Sequence, residues 1–116
     1  YYKANLEDCG YVIEVDGKRF LQPGDSFLLE DHLFLEDIDV LFFSPTEHNL
    51  HIKNSLTLIN RLEPKYILPQ HHSTVIVNSN TFFWAKGYHK EVKERLSKKL
   101  KERYFILKEG DKLLIQ

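Results

Sequence analysis

The chain has 116 residues, of which 42% are hydrophobic and 28% are charged, and this balance is typical of one globular domain spanning residues 1–116. A net charge of −1 gives no reason to expect a nucleic-acid partner, and no apolar run reaches the roughly 18–20 residues that cross a membrane. The one cysteine, Cys9, excludes an internal disulfide and favours a cytoplasmic location.

A β-hairpin is predicted near the start of the chain. Tyr11–Val15 is rich in aromatic and β-branched residues, and Lys18–Gln22 has the character of its return strand. Asp16 and Gly17 between them are typical of a type I′ turn, because both of its central residues need positive φ. Pro23 and Gly24 end the second strand.

A strand–helix–strand unit is predicted next. Residues 38–43 form an apolar run interrupted only by Asp39, which is typical of a buried strand. Residues 50–62 carry apolar side chains at helical spacing, with Asn49 as the predicted N-cap and a proline closing the helix. Residues 66–68 form a second short strand, so a parallel crossover and an α/β fold are expected.

The last third of the chain is predicted to hold a long connection, a helix and a terminal hairpin. The connection covers residues 71–87 and includes a candidate strand at 75–77. The helix is predicted over 89–103, where apolar residues form a narrow stripe among lysines and glutamates. Residues 104–107 and 112–115 are predicted to pair as a hairpin.

Asp25 is the first candidate functional residue. It follows Gly24 at the end of the hairpin's second strand, where a carboxylate can act as a metal ligand. Gly24 allows a sharp turn that presents the side chain at the strand end. The alternative is an ordinary turn in which the aspartate caps its own loop.

His71 and His72 form the second candidate. They follow a strand ended by Pro69, and α/β sheets bind their ligands at the carboxyl ends of strands. Neutral imidazole is a common ligand of zinc and iron. Adjacent residues of an extended segment point to opposite sides, so one of the two would face a site. The alternative is a surface pair without a role.

Glu47 and His48 are the third candidate, in the loop after the strand at 38–43. This loop is expected at the same sheet edge as His71, where its side chains could bind substrate or transfer a proton. The alternative is helix capping by solvated side chains. Five further metal-capable residues lack a convincing spacing and are predicted to lie on the surface: Asp31, His32, Glu36, Asp37 and His89.

The order of these segments resembles the C-terminal half of the metallo-β-lactamase superfamily, in particular its lactonase-like metal-dependent hydrolases. The resemblance is carried by Gly10-Tyr11-Val12-Ile13-Glu14, Asp16-Gly17, Gly24-Asp25-Ser26, the strand from Ile38, Glu63-Pro64-Lys65, and Ile67 to His71. It implies the C-terminal half of an αββα sandwich, with a mixed sheet and helices on one face. It also implies that Asp25 bridges two metal ions and that His71, rather than His72, is the last histidine ligand.

The chain lacks the His-x-His-x-Asp-His motif that this resemblance implies for a complete binuclear centre. Asp25 and His71 are two ligands, whereas a catalytic zinc site takes about three from protein. The chain also starts at Tyr1 and contains no methionine. A fragment lacking its N-terminal half is therefore expected.

Three interpretations follow from these residues and the resemblance. The first is a hydrolase, inactive until a missing half completes it, in which water activated by zinc, manganese or iron attacks an ester, lactone, amide or phosphoester in a small molecule. The second is a half-fold that assembles with a second copy or with a separate N-terminal half. The third is a metal-free binding or assembly domain of the same architecture.

Overall fold

A computed structural model describes residues 10–24, 32–46, 50–71 and 87–116. The candidate strand at 75–77 lies outside these ranges. The strands are β1 (Tyr11–Val15), β2 (Lys18–Gln22), β3 (Val40–Phe43) and β4 (Tyr66–Pro69). The helices are α1 (His51–Leu62), α2 (His89–Glu94) and α3 (Lys98–Lys101).

The four strands form one mixed sheet in the order β1-β2-β3-β4. β1 and β2 pair antiparallel, and the positive φ angles of Asp16 (51°) and Gly17 (77°) agree with the predicted hairpin turn. β2 and β3 pair parallel, as do β3 and β4 on either side of α1, which confirms the predicted crossover. The architecture is α/β, as predicted, and is consistent with half of a metallo-β-lactamase-like fold.

One face of the sheet packs against the helices. Leu21, Leu41 and Ile67 are aligned across β2, β3 and β4, so their side chains share this face. They form one buried cluster together with residues of all three helices, namely Leu58, Ile59, Val92 and Leu100, and with Phe43 and Tyr104 among others. The hydrophobic core of the described residues therefore lies between the sheet and its helices, as the prediction of helices on one face requires.

The opposite face of the sheet is also apolar. Phe20, Val40 and Tyr66 are aligned on it, and Phe42 lies in the next row. Val40 is fully buried, whereas the three aromatic side chains are half-buried. The Tyr66 ring lies against Phe105, with 6.0 Å between ring centroids. We call the surface formed by Phe20, Phe42, Tyr66 and Phe105 the aromatic face.

Helix α1 begins one residue later than predicted, and the prediction of Asn49 as its N-cap is wrong. Leu50 occupies the N-cap position and supplies no side-chain hydrogen bond. Instead the preceding loop satisfies the first backbone donors, because Leu50 N donates to Ser44 O (3.0 Å) and His51 N donates to Thr46 O (3.1 Å). The helix ends before Pro64, as predicted, with Glu63 in a left-handed conformation.

The prediction of one continuous helix over 89–103 is wrong, because the structure divides it into α2 and α3. Ser97 is the N-cap of α3, and its side-chain oxygen accepts a hydrogen bond from Leu100 N (3.4 Å). Serine competes with helical backbone hydrogen bonds in this way, and it therefore favours caps over helix interiors.

The predicted terminal hairpin is also wrong. Ile67 N donates to Arg103 O (2.8 Å) and Phe105 N donates to Ile67 O (2.9 Å), so the segment after α3 aligns parallel to β4. Residues 112–115 form no strand. The turn between the two segments is present, since Asp111 N donates to Lys108 O (2.9 Å).

Candidate functional site

The carboxyl ends of β2, β3 and β4 meet at one edge of the sheet, because these three strands are parallel. Gly24 follows β2, Ser44 follows β3, and Gln70 and His71 follow β4. We call this the carboxyl edge. Ligands of open α/β sheets bind at such an edge. Gly24, Ser44 and His71 therefore lie at the same edge, whereas Asp25, the predicted partner of His71, lies outside the described residues, so their convergence stays a prediction.

Three polar side chains join the strand ends at the carboxyl edge. Gln22 Nε2 donates to Gln70 Oε1 (2.9 Å), and Gln70 Nε2 donates in return to Gln22 Oε1 (2.7 Å). Gln70 Nε2 also lies 3.3 Å from Ser44 Oγ, to which it donates. Gln22 Oε1 further accepts a hydrogen bond from Gly24 N (3.1 Å). We call this set the amide network.

The amide network connects the two chain positions that precede the predicted ligands. Gln22 holds the turn at Gly24, directly before Asp25, and Gln70 directly precedes His71. The two amides span the intervening strand β3, whose end also receives a hydrogen bond from Gln70 N at Phe43 O (2.7 Å). Because each amide supplies both a donor and an acceptor, the pair fixes the relative position of the two strand ends.

His71 is exposed and has a left-handed backbone conformation, with φ at 59°. This conformation costs a non-glycine residue roughly 1–2 kcal/mol. Such strain persists only where surrounding contacts impose it, and it concentrates at functional sites. The backbone bond from Gln70 N to Phe43 O is one such contact.

Two further residues with left-handed conformations lie in contact, and the sequence interpretation missed both. His51 (φ 57°) begins α1 and Tyr88 (φ 52°) precedes α2. Their rings make an edge-to-face contact with centroids 4.6 Å apart. Histidine is enriched among the uncommon non-glycine residues with positive φ, but tyrosine is not, so residue type alone did not identify this pair.

His32 corrects the prediction of a surface residue, because its exposure is 7%. A Cβ atom at Gly10 would lie 2.8 Å from His32 Nε2 and 3.1 Å from Pro23 Cα. The imidazole therefore packs against backbone beside the end of β2. Gly10 was the sequence feature that could have indicated this contact, since a glycine often marks a place where another group approaches the backbone closely. Glu36 and Asp37 are exposed, as predicted, and His89 is half-buried.

Most of the predicted site residues lie outside the described ranges: Asp25, Glu47, His48 and His72. Of the predicted metal ligands, the structure describes His71. No group of three or more His, Cys, Asp or Glu side chains within residues 10–24, 32–46, 50–71 and 87–116 could hold a metal ion. The described residues thus do not make up a metal site, and the two predicted ligands remain predictions.

A cleft of about 520 Å³ lies at the edge of the sheet opposite the carboxyl edge, next to the amino ends of β3 and β4. The Asp39 carboxylate binds on both sides within the cleft: Oδ2 accepts a hydrogen bond from the backbone N–H of Arg19 (2.9 Å), and Oδ1 lies 3.5 Å from Lys65 Nζ. These contacts join the start of β3 to β2 and to the residue before β4, so we interpret the cleft as structural. Within the described ranges no helix is long and apolar enough to span a bilayer.

No protein-family profile matches the chain. The chain is similar to a UPF0173 metal-dependent hydrolase of Carboxydothermus hydrogenoformans, with 31% identity over 70 residues, 57% of this chain and 31% of the relative. It is equally similar to a UPF0173 metal-dependent hydrolase of Thermococcus onnurineus, with 31% identity over 71 residues, 57% of this chain and 32% of the relative. The matched segment therefore spans about a third of each relative, and these matches leave the lactonase-like subgroup unsupported.

Proposed function

We propose that the chain contributes part of the active site of a metal-dependent hydrolase of the metallo-β-lactamase superfamily. The amide network carries the proposal, because Gln22 and Gln70 bind each other across β3 and thereby link the positions next to Asp25 and His71. The names of the two relatives support the reaction class.

In this proposal Asp25 and His71 bind a divalent metal, with zinc as the first choice and manganese or iron as alternatives. Glu47 and His48 contact a small-molecule substrate with an ester, lactone, amide or phosphoester bond. Two ligands are fewer than a catalytic zinc takes from protein. The remaining ligands therefore come from polypeptide outside this chain, and the single cysteine favours a cytoplasmic setting for the assembled protein.

The second candidate function is that of a metal-free assembly domain. The half-buried aromatic face favours it, because apolar surface of this kind marks sites of protein association. The two candidates differ in the role of His71, which matters for metal uptake only in the first.

Metal uptake and hydrolysis test the first candidate. The chain would be purified alone and also together with the polypeptide encoded directly upstream in its gene, and metal content would be measured by mass spectrometry. We expect no hydrolysis of ester, lactone, amide or phosphoester substrates by the chain alone. Metal-dependent hydrolysis by a stable monomer of the chain alone would contradict the proposal.

Three variants of the assembled protein assign the ligands. We expect Asp25→Ala and His71→Ala each to abolish metal uptake, because losing one of few ligands removes most of the affinity. His72→Ala is the matched control and should retain metal, since neighbouring extended residues point apart. An equal loss in His72→Ala would transfer the ligand role to His72, and retention by all three would favour the assembly domain.

A further inference from the structure

Strand β1 is exposed along its whole length. All five of its residues are exposed, including Tyr11 (60%), Val12 (37%), Ile13 (49%) and Val15 (51%). Among the described residues β1 pairs with β2 alone, so it forms an edge of the sheet. An edge strand offers unpaired backbone N–H and C=O groups, and native edges are usually protected by charges, prolines or bulges. Glu14 is the one charged residue in β1.

We propose that β1 is a dimerisation edge, which pairs antiparallel with β1 of a second copy about a two-fold axis at Ile13. Addition of a strand to an open sheet edge is a common mode of protein association, because the backbone supplies the hydrogen bonds. A two-fold axis perpendicular to the sheet keeps the helices of both copies on the same side. The result would be a continuous eight-stranded sheet whose two aromatic faces adjoin.

The sequence of β1 is self-complementary in this register. Ile13 lies opposite Ile13 of the second copy, and Tyr11 lies opposite Val15 of the second copy. These residues share one sheet face with Phe20, because Ile13 is the partner of Phe20 in the hairpin. Aromatic and β-branched residues opposite each other are among the favourable cross-strand pairs.

Electrostatics and strand length exclude the neighbouring registers. A shift that centres the axis on Glu14 would place two carboxylates directly opposite, which is unfavourable. A shift to Val12 would pair three residues of the five. With the axis at Ile13, each Glu14 lies opposite a valine and keeps its intramolecular ion pair with Arg19, whose Nε is 3.4 Å from Glu14 Oε1.

The area of this interface predicts a reversible dimer. The exposed parts of the four apolar side chains amount to at most roughly 300–500 Å² per copy, taking about half of the 150–250 Å² that aromatic side chains bury as an upper bound for each. A stable interface buries about 800 Å² per partner. The dimer should therefore form at high protein concentration and dissociate on dilution.

Sedimentation equilibrium of the chain over a hundredfold concentration range tests the proposal. We expect the mass to rise from 13.8 kDa towards twice that value as concentration increases. Ile13→Lys should remain a monomer at every concentration, because two ammonium groups would face each other across the axis. Ile13→Glu should behave in the same way, and an equimolar mixture of the two variants should restore a dimer.

Two controls separate this edge from general surface hydrophobicity. Phe34→Lys and Leu114→Lys place the same charge at apolar residues that are 83% and 75% exposed elsewhere, and both should dimerise as the parent does. Circular dichroism should show that all variants are folded. A parent chain that stays monomeric, a dimer unaffected by Ile13→Lys, or a mixture that fails to associate would overturn the proposal.

The dimerisation edge is independent of the proposed hydrolase. No residue of β1 is among the predicted metal or substrate ligands, so loss of metal uptake leaves the mass measurement unchanged. Conversely, a chain that stays monomeric would not change the results expected from the metal and hydrolysis measurements. The two proposals therefore fail separately.

Discussion

Gln22 and Gln70 show how two residues far apart in the sequence can fix one edge of the sheet. Their amides hydrogen-bond reciprocally across β3, although 48 positions separate them in the chain. Both are partly buried, so water does not fully replace a lost partner. The contribution of each amide to the free energy of unfolding therefore depends on whether the other amide is present.

We predict that the substitutions Gln22→Leu and Gln70→Leu are strongly coupled. Each alone should lower the free energy of unfolding by about 1 kcal/mol, because the remaining amide loses its partner. The double variant should cost less than the sum of the two, since it removes both unpaired groups. Urea unfolding measures all three values, and Gln116→Leu at an exposed position is the control. Additive costs would show that the two amides act independently.

The phenol of Tyr104 is buried and makes a hydrogen bond within the core. It is 3% exposed, and its hydroxyl donates a hydrogen bond to His89 O (2.7 Å). Burial, and secondarily the negative charge of Glu91, raise the pKa of Tyr104 far above its ordinary value of about 10. The folded protein therefore holds this phenol neutral at pH values where the unfolded chain ionises it.

We predict a loss of stability above pH 10 that depends on Tyr104. Below pH 10 both states bind the proton and its contribution is constant, whereas above pH 10 the unfolded state alone releases it. Stability should then fall by about 1.4 kcal/mol per pH unit. Tyr104→Phe should lower stability by about 1 kcal/mol at neutral pH and flatten the decline at high pH. Tyr11→Phe, at a 60% exposed position, should keep the decline.

At the scale of elements, Ser97 divides what the apolar periodicity marks as one helix. Val92 on α2, Leu96 between the helices and Leu100 on α3 all reach the core. The predicted apolar stripe therefore faces the core, but the helical backbone ends at Arg95, which is the C-cap of α2. Ser97 then begins α3 with its own cap.

We predict that Ser97→Ala destabilises the protein by about 1 kcal/mol, the usual cost of removing a serine N-cap. Ser97→Asp should restore stability, because its carboxylate can accept the same hydrogen bond from Leu100 N and favours a helix N-terminus. Thermal unfolding of the three proteins measures the effect. Equal losses in both variants would indicate that the hydroxyl has a role other than capping.

At the scale of the whole molecule, the sheet has two apolar faces of unequal burial. Phe43 points into the core and is fully buried, whereas its neighbour Phe42 lies on the aromatic face and is half-buried. Alternation along a strand places these two phenylalanines on opposite sides. The pair therefore allows the two faces to be compared with the same chemical change.

We predict that Phe43→Ala lowers the free energy of unfolding by about 3–5 kcal/mol, as expected for a large residue in a closed core. Phe42→Ala should cost clearly less and should reduce the binding of a hydrophobic dye to the native protein. Denaturant unfolding and dye fluorescence measure both. Equal costs would show that the aromatic face is covered as completely as the helical face.

The sequence by itself determined the elements that depend on local patterns. Asp16-Gly17 specified the hairpin turn, apolar runs specified β3 and β4, and 3.6-residue periodicity specified α1, each with small errors at the ends. The predicted crossover also placed the carboxyl ends of β3 and β4 at one edge, because it makes these two strands parallel. The parallel pairing of β2 with β3, which brings Gly24 to the same edge, did not follow from that pattern.

Tertiary structure alone decided the features that depend on distant contacts. The segment after α3 lies along β4 because its backbone makes two hydrogen bonds with Ile67. No local pattern in residues 103–105 indicates that these bonds would be made with β4. His32 is buried because Gly10 and Pro23 leave space for it. The left-handed conformations of His51, His71 and Tyr88 are uncommon for any residue other than glycine, and their residue types do not specify them. Local sequence encodes periodicity and turns, whereas the free energy of these features comes from contacts made only once the sheet has formed.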